Sequence, residues 1–482
     1  MQNTKTKFAL GALTAVLMFV VGMSVGCNKN SGKAQNDSKS TQTKQSGPLP
    51  PEPLTMLVIG DEELGERTQR QWSARRDGTL TINNMDAQSF IDSGFEVSDD
   101  VDVVVYPPAM IGELAKLKRI QAVPRRLWES DEFNKNSLLR HFRMRIVRYQ
   151  DVAWGVPLGS PTYALLANRK LIDELKIKLP TTWSNLENTL NKVAGSESGL
   201  PSKIDMPLSE GWAAKTFLVH VSSAIRNRGK ISTVFKRKQM EPLIASQPFV
   251  QALERIKRTA SERSLEFGPK EIFELANAGK SSFALAWPAR GFSPEFEAAD
   301  ELIDDVLTIG PVPGTTQWFD QGSNIWHARP TDADVHVDLV GFTGLVASVN
   351  SASMNDNTAW DFLEWWSSQK ISHLTVTDSP SVGPFRASQL GDMGLWSGES
   401  ISADVADEYA DVVAASHERS LCFMFPKISG QHLYIKALDE KVREYISGTG
   451  SPEDALNAVA AQWDEITDEI GRDAQANQLR KD

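Results

Sequence analysis

Adjacent carboxylates such as Glu62-Glu63 and Asp304-Asp305 could serve as general acid and base. Paired acids are equally common on solvated surfaces, so they point to an enzyme only in company. Asp332, Asp334, His336 and Asp338 alternate. On a strand all four would share one face and could gather a cation; on a loop they would face water, which is the simpler expectation. Ala278-Gly279-Lys280-Ser281 resembles the tail of a phosphate-binding loop, but Glu274 stands where that motif needs its leading glycine. No Gly-x-Ser-x-Gly elbow, His-Glu-x-x-His helix or Gly-x-Gly-x-x-Gly turn occurs. The expectation is no catalytic residue, no metal and no cofactor.

Aromatic rings offer a different chemistry. There are thirteen tryptophans against six tyrosines. An indole packs its flat apolar face on the C–H face of a sugar ring, and its N–H can bond a hydroxyl. Trp183, Trp360, Trp366 and Trp463 fall on apolar helical faces and belong to packing. Trp212, Trp287, Trp318 and Trp326 sit among Gly, Pro and polar residues, where loops project side chains into clefts.

The elements that must position these rings read as an α/β alternation. Leu54 to Ile59 is a short apolar run ending at Gly60-Asp61, which suits a buried parallel strand. Val101 to Tyr106 repeats the form and is stopped by Pro107-Pro108. Helical patterns lie between the two runs and again at Ile111 to Leu117. Pro180 ends a helix built on Leu171, Ile172 and Leu175, and Thr181-Thr182 can cap the next one around Trp183, Leu186 and Leu190. Ser451-Pro452-Glu453-Asp454 opens a C-terminal helix with a cap, a proline and two acids. No internal repeat of solenoid length is present.

A chain of 482 residues exceeds one ordinary core and suggests two lobes. Its 41% hydrophobic and 23% charged content is that of a water-soluble body. A net charge of −11 provides no basic field for nucleic acid. Of the two cysteines, Cys422 lies in an apolar run and reads as a buried, inert thiol. Cys27 follows Lys5, Lys7, an apolar stretch from Phe8 to Gly26 and the small residues Ser24 and Gly26. This start resembles a bacterial lipoprotein signal, although Ser24 stands where such signals usually carry Leu. The resemblance implies a signal peptide over 1–26, a lipid on Cys27 and a polar tether over 27–53. The alternative is an uncleaved membrane anchor. Both place the body outside the cytoplasm.

Several segments together resemble the extracellular solute-binding proteins of ABC importers, in particular the carbohydrate group that includes maltodextrin-binding protein. The resemblance runs from about Leu54 to Ile466. Val152-Ala153-Trp154-Gly155-Val156-Pro157, followed by Tyr163 to Ile172, is similar to that family's first crossing between lobes. Leu179-Pro180-Thr181-Thr182-Trp183 matches its Pro-x-Thr-Trp turn. Phe273 through Ala284 and on to Trp287 looks like the strand that leads to a ligand-facing aromatic. Ile309 to Gly314 is similar to the strand before the return crossing, Gly341 to Ala347 to the re-entry into the first lobe, Ser381 to Arg386 to the final crossover and Gly448 to Ala455 to the start of the terminal helix. Thr315 to Val340 is longer than the family's connection, and the loop after Gly60 is acidic where an aromatic is usual.

The resemblance implies a two-lobed periplasmic-binding-protein fold of type II. One lobe is expected from 54–158 plus 339–383 and the other from 159–338 plus 384–482, with hinges at Pro157, Gly341 and Pro384. It also implies ligand contacts from Asp61, Glu62, Tyr106, Trp212, Trp287, Arg290, Trp326, Phe342 and Arg386. The expected partners are a small carbohydrate-like solute, ABC permease subunits and a membrane reached through the N-terminal lipid, with the binding protein itself monomeric. The competing reading from another class is a surface-anchored polysaccharide hydrolase or lyase.

Overall fold

The computed structural model describes residues 52–76, 78–226, 233–288, 306–375, 379, 381–391 and 401–481. Two separate sheets organise them, and both belong to the unit Pro50–Asp482. The first sheet has the order β2-β1-β3-β14-β6, from β1 (Leu54–Ile59), β2 (Leu80–Met85), β3 (Val103–Tyr106), β6 (Val156–Gly159) and β14 (Leu345–Val349). β1 runs parallel to β2 and β3 in the register Leu54↔Leu80 and Met56↔Val103, whereas β14 runs antiparallel to β3 and β6. All four residues of β3 are fully buried, and each such side chain contributes roughly 1.5–3 kcal/mol of transfer free energy. β2 reads LTINNM because it is an edge strand with one wet face, and its polar positions hide it from a search for apolar runs.

The second sheet has the order β10-β7-β9-β8, from β7 (Ala164–Asn168), β8 (Ile204–Asp205), β9 (Phe283–Ala286) and β10 (Leu307–Pro311). β7 is antiparallel to both β9 and β10, with Ala164 facing Ala286 on one side and Pro311 on the other. Three short pairs complete the strands. They are β4 (Arg148–Tyr149) with β5 (Val152–Ala153), β11 (Gln317–Asp320) with β12 (Ile325–Ala328), and β13 (Asp338–Leu339) with β15 (Cys422–Phe423). The long connection expected between Thr315 and Val340 is thus partly a hairpin added to the second lobe.

Local signals set the helices around these sheets. Asn168 caps Arg169–Leu175 by accepting from Leu171 N at 3.0 Å, and Thr182 caps Trp183–Ala194 through Asn185 N at 3.2 Å. Ser451 caps Pro452–Ile470 through Asp454 N. The helix Ala403–Glu418 packs on β10, where Glu408 accepts from Ile309 N at 2.7 Å and pairs with Arg169 at 2.9 Å. Cys422 is buried, and burial raises its thiol pKa.

The chain passes three times between the sheets, and the three passages interlock through glycine. A Cβ at Gly159 (φ +124°) would lie 2.1 Å from the Gly383 carbonyl oxygen, and one at Gly344 (φ +80°) 2.0 Å from the Gly159 carbonyl oxygen. Ser160 Oγ and Thr343 Oγ1 are hydrogen-bonded at 2.7 Å, and Thr343 Oγ1 also donates to the Pro161 carbonyl at 3.0 Å. From the 403–418 helix, the Tyr409 hydroxyl accepts from Thr162 N at 2.9 Å and donates to Thr162 O at 3.0 Å. The closest approach of the passages therefore falls at Gly159, Gly344 and Gly383, within one to three residues of the expected Pro157, Gly341 and Pro384. Pro157 lies inside β6, and Gly341 (φ +85°) packs on Met424.

Leu139 N donates to Phe385 O, Leu138 bridges Arg386, and Gln389 Nε2 donates to Ser372 O. Residues 385–389 thus pack against first-lobe residues after the third passage has touched the others at Gly383, and the Ala403–Glu418 helix lies against β10 of the second sheet.

Candidate functional site

Where the first passage enters the second sheet, three aromatic rings meet. Tyr163 precedes β7 and Trp287 follows β9. The β7–β9 register, continued by one residue, sets them opposite each other. Their ring centroids are 5.0 Å apart, edge to face. Trp212, at the start of the Ala213–Ile225 helix, lies 5.7 Å from Trp287 at a 56° tilt. Trp212 is half-buried while Trp287 is 5% exposed, so the corner has an open side at Trp212.

Polar anchors hold this corner from behind. Asp439, on the Gln431–Ser447 helix, accepts from Gly211 N and Ala214 N, both at 2.9 Å, and so clamps the backbone on either side of Trp212. Its desolvation raises its pKa, a cost those two N–H donors partly offset. Asp205, fully buried in β8, accepts from Arg263 Nε at 2.8 Å and from Ser261 and Ser281 hydroxyls at 2.5 Å each. Ser264, next to Arg263, binds Met206 N and Leu208 N. One buried carboxylate network thereby fixes both the loop leading to Trp212 and the strand leading to Trp287. Lys215 lies over the Trp212 ring, with Nζ 3.9 Å from the ring centroid. Burial lowers its pKa to about 8 against the opposing pull of Asp439.

Trp212 and Trp287 are thus brought together, and the other expected contacts are not. Arg386 is fully buried. Its guanidinium donates to the carbonyls of Phe133 at 2.8 Å, Asn134 at 3.1 Å and Ser367, and to the Ser137 hydroxyl. It is a strut inside the first lobe, and desolvation alone lowers its pKa to about 9. Tyr106 is likewise fully buried, bonded to Ser348 Oγ at 2.7 Å, because β3 is central in its sheet. Trp326 lies on the β11–β12 hairpin against Phe319 (5.2 Å), with its N–H donated to Gln247 Oε1 at 2.8 Å. Trp318 stacks on His327 across that hairpin at 4.7 Å. Phe342 is 8% exposed and packs on Phe425.

Asp61 does stand at the end of β1, but its carboxylate is committed. Oδ1 accepts from Glu63 N and Leu64 N, and Oδ2 accepts from Ser379 Oγ, which ties the first lobe to the third passage. Glu62 is exposed beside it. Arg290 and Cys27 lie outside the described residues.

The alternating acids form no cation site. Arg419 pairs with Asp334 at 2.7 Å and with Asp338 at 2.8 Å, and His336 Nδ1 bonds Val312 O at 2.7 Å. Among the described residues no three His, Cys, Asp or Glu side chains gather as a metal site. The Gly279-Lys280-Ser281 turn ends the Pro269–Asn277 helix, and Ser281 spends its hydroxyl on Asp205. It leads into β9 and forms no phosphate loop.

No family model and no curated sequence matches this chain. Solved structures do. Maltose-bound MalE3 of T. maritima aligns with a TM-score of 0.64 and 15% identity, covering 86% of this chain and 100% of that one. The sugar-binding protein MalE of Xanthomonas citri aligns at 0.64 and 16%, covering 87% and 98%. Lmo0181 of Listeria monocytogenes, in complex with cycloalternan, aligns at 0.62 and 14%, covering 87% and 99%. The chain has the fold of the periplasmic solute-binding proteins. In that α/β fold the two sheets are the two lobes, and the glycine-locked passages are the crossovers between them. These structural neighbours are binding proteins. Among the described residues no helix is long and apolar enough to cross a membrane.

Proposed function

We propose that this chain is the extracytoplasmic solute-binding subunit of an ABC importer, and that it closes its two lobes over a sugar-like solute. The observation that carries the reading is the corner of Tyr163, Trp212 and Trp287 at the end of the second sheet where the first crossing arrives from Gly159. Indole faces set at an angle suit a pyranose ring, which presents apolar C–H faces and hydroxyl edges. Rotation about Gly159, Gly344 and Gly383 would bring the first lobe, including the acidic loop at Asp61 and Glu62, over that corner. Arg290, three residues after Trp287 in sequence, would supply a further contact. The maltose and cycloalternan named for the structural neighbours agree with a carbohydrate cargo. With the leader removed, a lipid on Cys27 would hold the protein to a membrane.

A thermal-shift screen of mono- and oligosaccharides, run beside a turnover assay on polysaccharide pools, tests the proposal. A melting shift without product is the expected result. Product formation would establish the hydrolase or lyase reading in its place.

A further inference from the structure

We infer that Lys215 makes this site select a carbohydrate carrying an acidic substituent, a carboxylate or a sulfate, bound against the Trp212 face. The inference rests on the solute-binding reading of the same site. Lys215 occupies the first turn of the Ala213–Ile225 helix, and its half-buried ammonium stands 3.9 Å above the Trp212 ring centroid. Among the described residues this ammonium makes no hydrogen bond and has no carboxylate at ion-pair distance. The acid that feels it most, Asp439, is already spent on the N–H groups of Gly211 and Ala214.

The other charges around it are accounted for. Glu271, near the Trp212 N–H edge, accepts from Gly268 N at 3.0 Å, and Arg443 acts on Asp439 from the same Gln431–Ser447 helix. Glu210 is exposed on the loop before Trp212. Across the crossings, Asp61 is taken by Glu63, Leu64 and Ser379.

A neutral sugar stacking on Trp212 must push the cation off the ring and lose the cation–π attraction. An acidic sugar gives the same cation a counter-charge, and a charge-assisted hydrogen bond is about twice as strong as a neutral one. The partly desolvated ammonium and the positive end of the helix act in the same direction.

The test is calorimetric titration of the full chain with three probes of equal length: an oligogalacturonate, a sulfated oligosaccharide and a neutral oligosaccharide. At pH 7 at least one acidic probe should bind ten times or more tighter than the neutral one, and the two acidic arms identify which anion is taken. That advantage should shrink between pH 7 and 9 as Lys215 loses its proton. Lys215→Met should bring the ratio to about one, whereas Lys215→Arg should keep the ratio and lose the pH dependence. If the methionine variant fails to fold, the pH series on the unmodified protein and Lys215→Gln carry the decision. A neutral probe that binds as tightly as both acidic ones, or a ratio that survives Lys215→Met, overturns the inference and leaves the solute-binding reading standing. No binding of any carbohydrate overturns both.

Discussion

Gly159→Ala probes the interlock of the three crossings. At this position φ is +124°, a region that L-residues rarely occupy, and the added methyl would sit 2.1 Å from the Gly383 carbonyl oxygen. The backbone penalty for a side chain in such a conformation is about 1–3 kcal/mol. Relieving the contact requires moving one crossing relative to another, for which overpacking costs of about 1–3 kcal/mol apply. The two together predict a loss of roughly 2–6 kcal/mol. Gly199 supplies the control, since its φ is +70° and a Cβ there meets nothing within 4 Å. Gly199→Ala should therefore lose only about 1–2 kcal/mol, the cost of the left-handed backbone alone. Urea unfolding of both variants, monitored by tryptophan fluorescence, measures the difference. Equal losses at the two positions would refute the claim that the crossings touch at Gly159.

Arg386→Met should destabilise the fold by at least about 3 kcal/mol in the same assay, because three carbonyls lose a buried donor; a stable variant with weakened solute affinity would restore Arg386 as a ligand contact. Trp212→Ala should weaken solute binding tenfold or more by calorimetry, while Trp326→Ala should leave it within about twofold, since the first ring stands in the corner and the second on the hairpin; the reverse ranking would move the site. His141 and His417 face each other at 5.6 Å, with pKa values lowered by burial to about 4 and about 3. The unfolded chain takes up their protons near pH 6.5 and the folded protein does not, so stability should fall as pH drops from about 6.5 toward 4, by up to about 1.4 kcal/mol per pH unit for each histidine. His417→Phe should flatten that dependence, and an unchanged pH slope would contradict the assignment.

Much of the fold was legible because its signals are local. The apolar run Leu54 to Ile59, the cap at Thr182 and the Ser451-Pro452 helix start each form within a few residues, and the structure places a strand and two helices there. β2 escaped because an edge strand with Asn83 and Asn84 carries no apolar run. At 332–338 the structure has the loop that the simpler reading expected, with a strand only at Asp338–Leu339, but the pairing of Arg419, far along the chain, with Asp334 and Asp338 had no local signal.

Site residues were harder to read for the same reason. Trp212 and Trp287 stood out as aromatics in loop-like surroundings, but Tyr163 joins them through the β7–β9 register, which no local pattern specifies. Asp439 clamps Trp212 from a helix more than two hundred residues away, and nothing in its own helix marks it. Arg386 looked available because arginine is rarely buried, yet three carbonyls from two separate segments converge on it.

The account stands on a crevice between two hinged lobes that grips a dissolved sugar without altering it. Small-angle scattering of the full chain, titrated with the oligosaccharide that gives the largest thermal shift, measures this directly. A radius of gyration that falls to a plateau as the sugar saturates, with the sugar recovered intact, is the predicted result. A radius unchanged at saturation, or a sugar recovered cleaved, would contradict it.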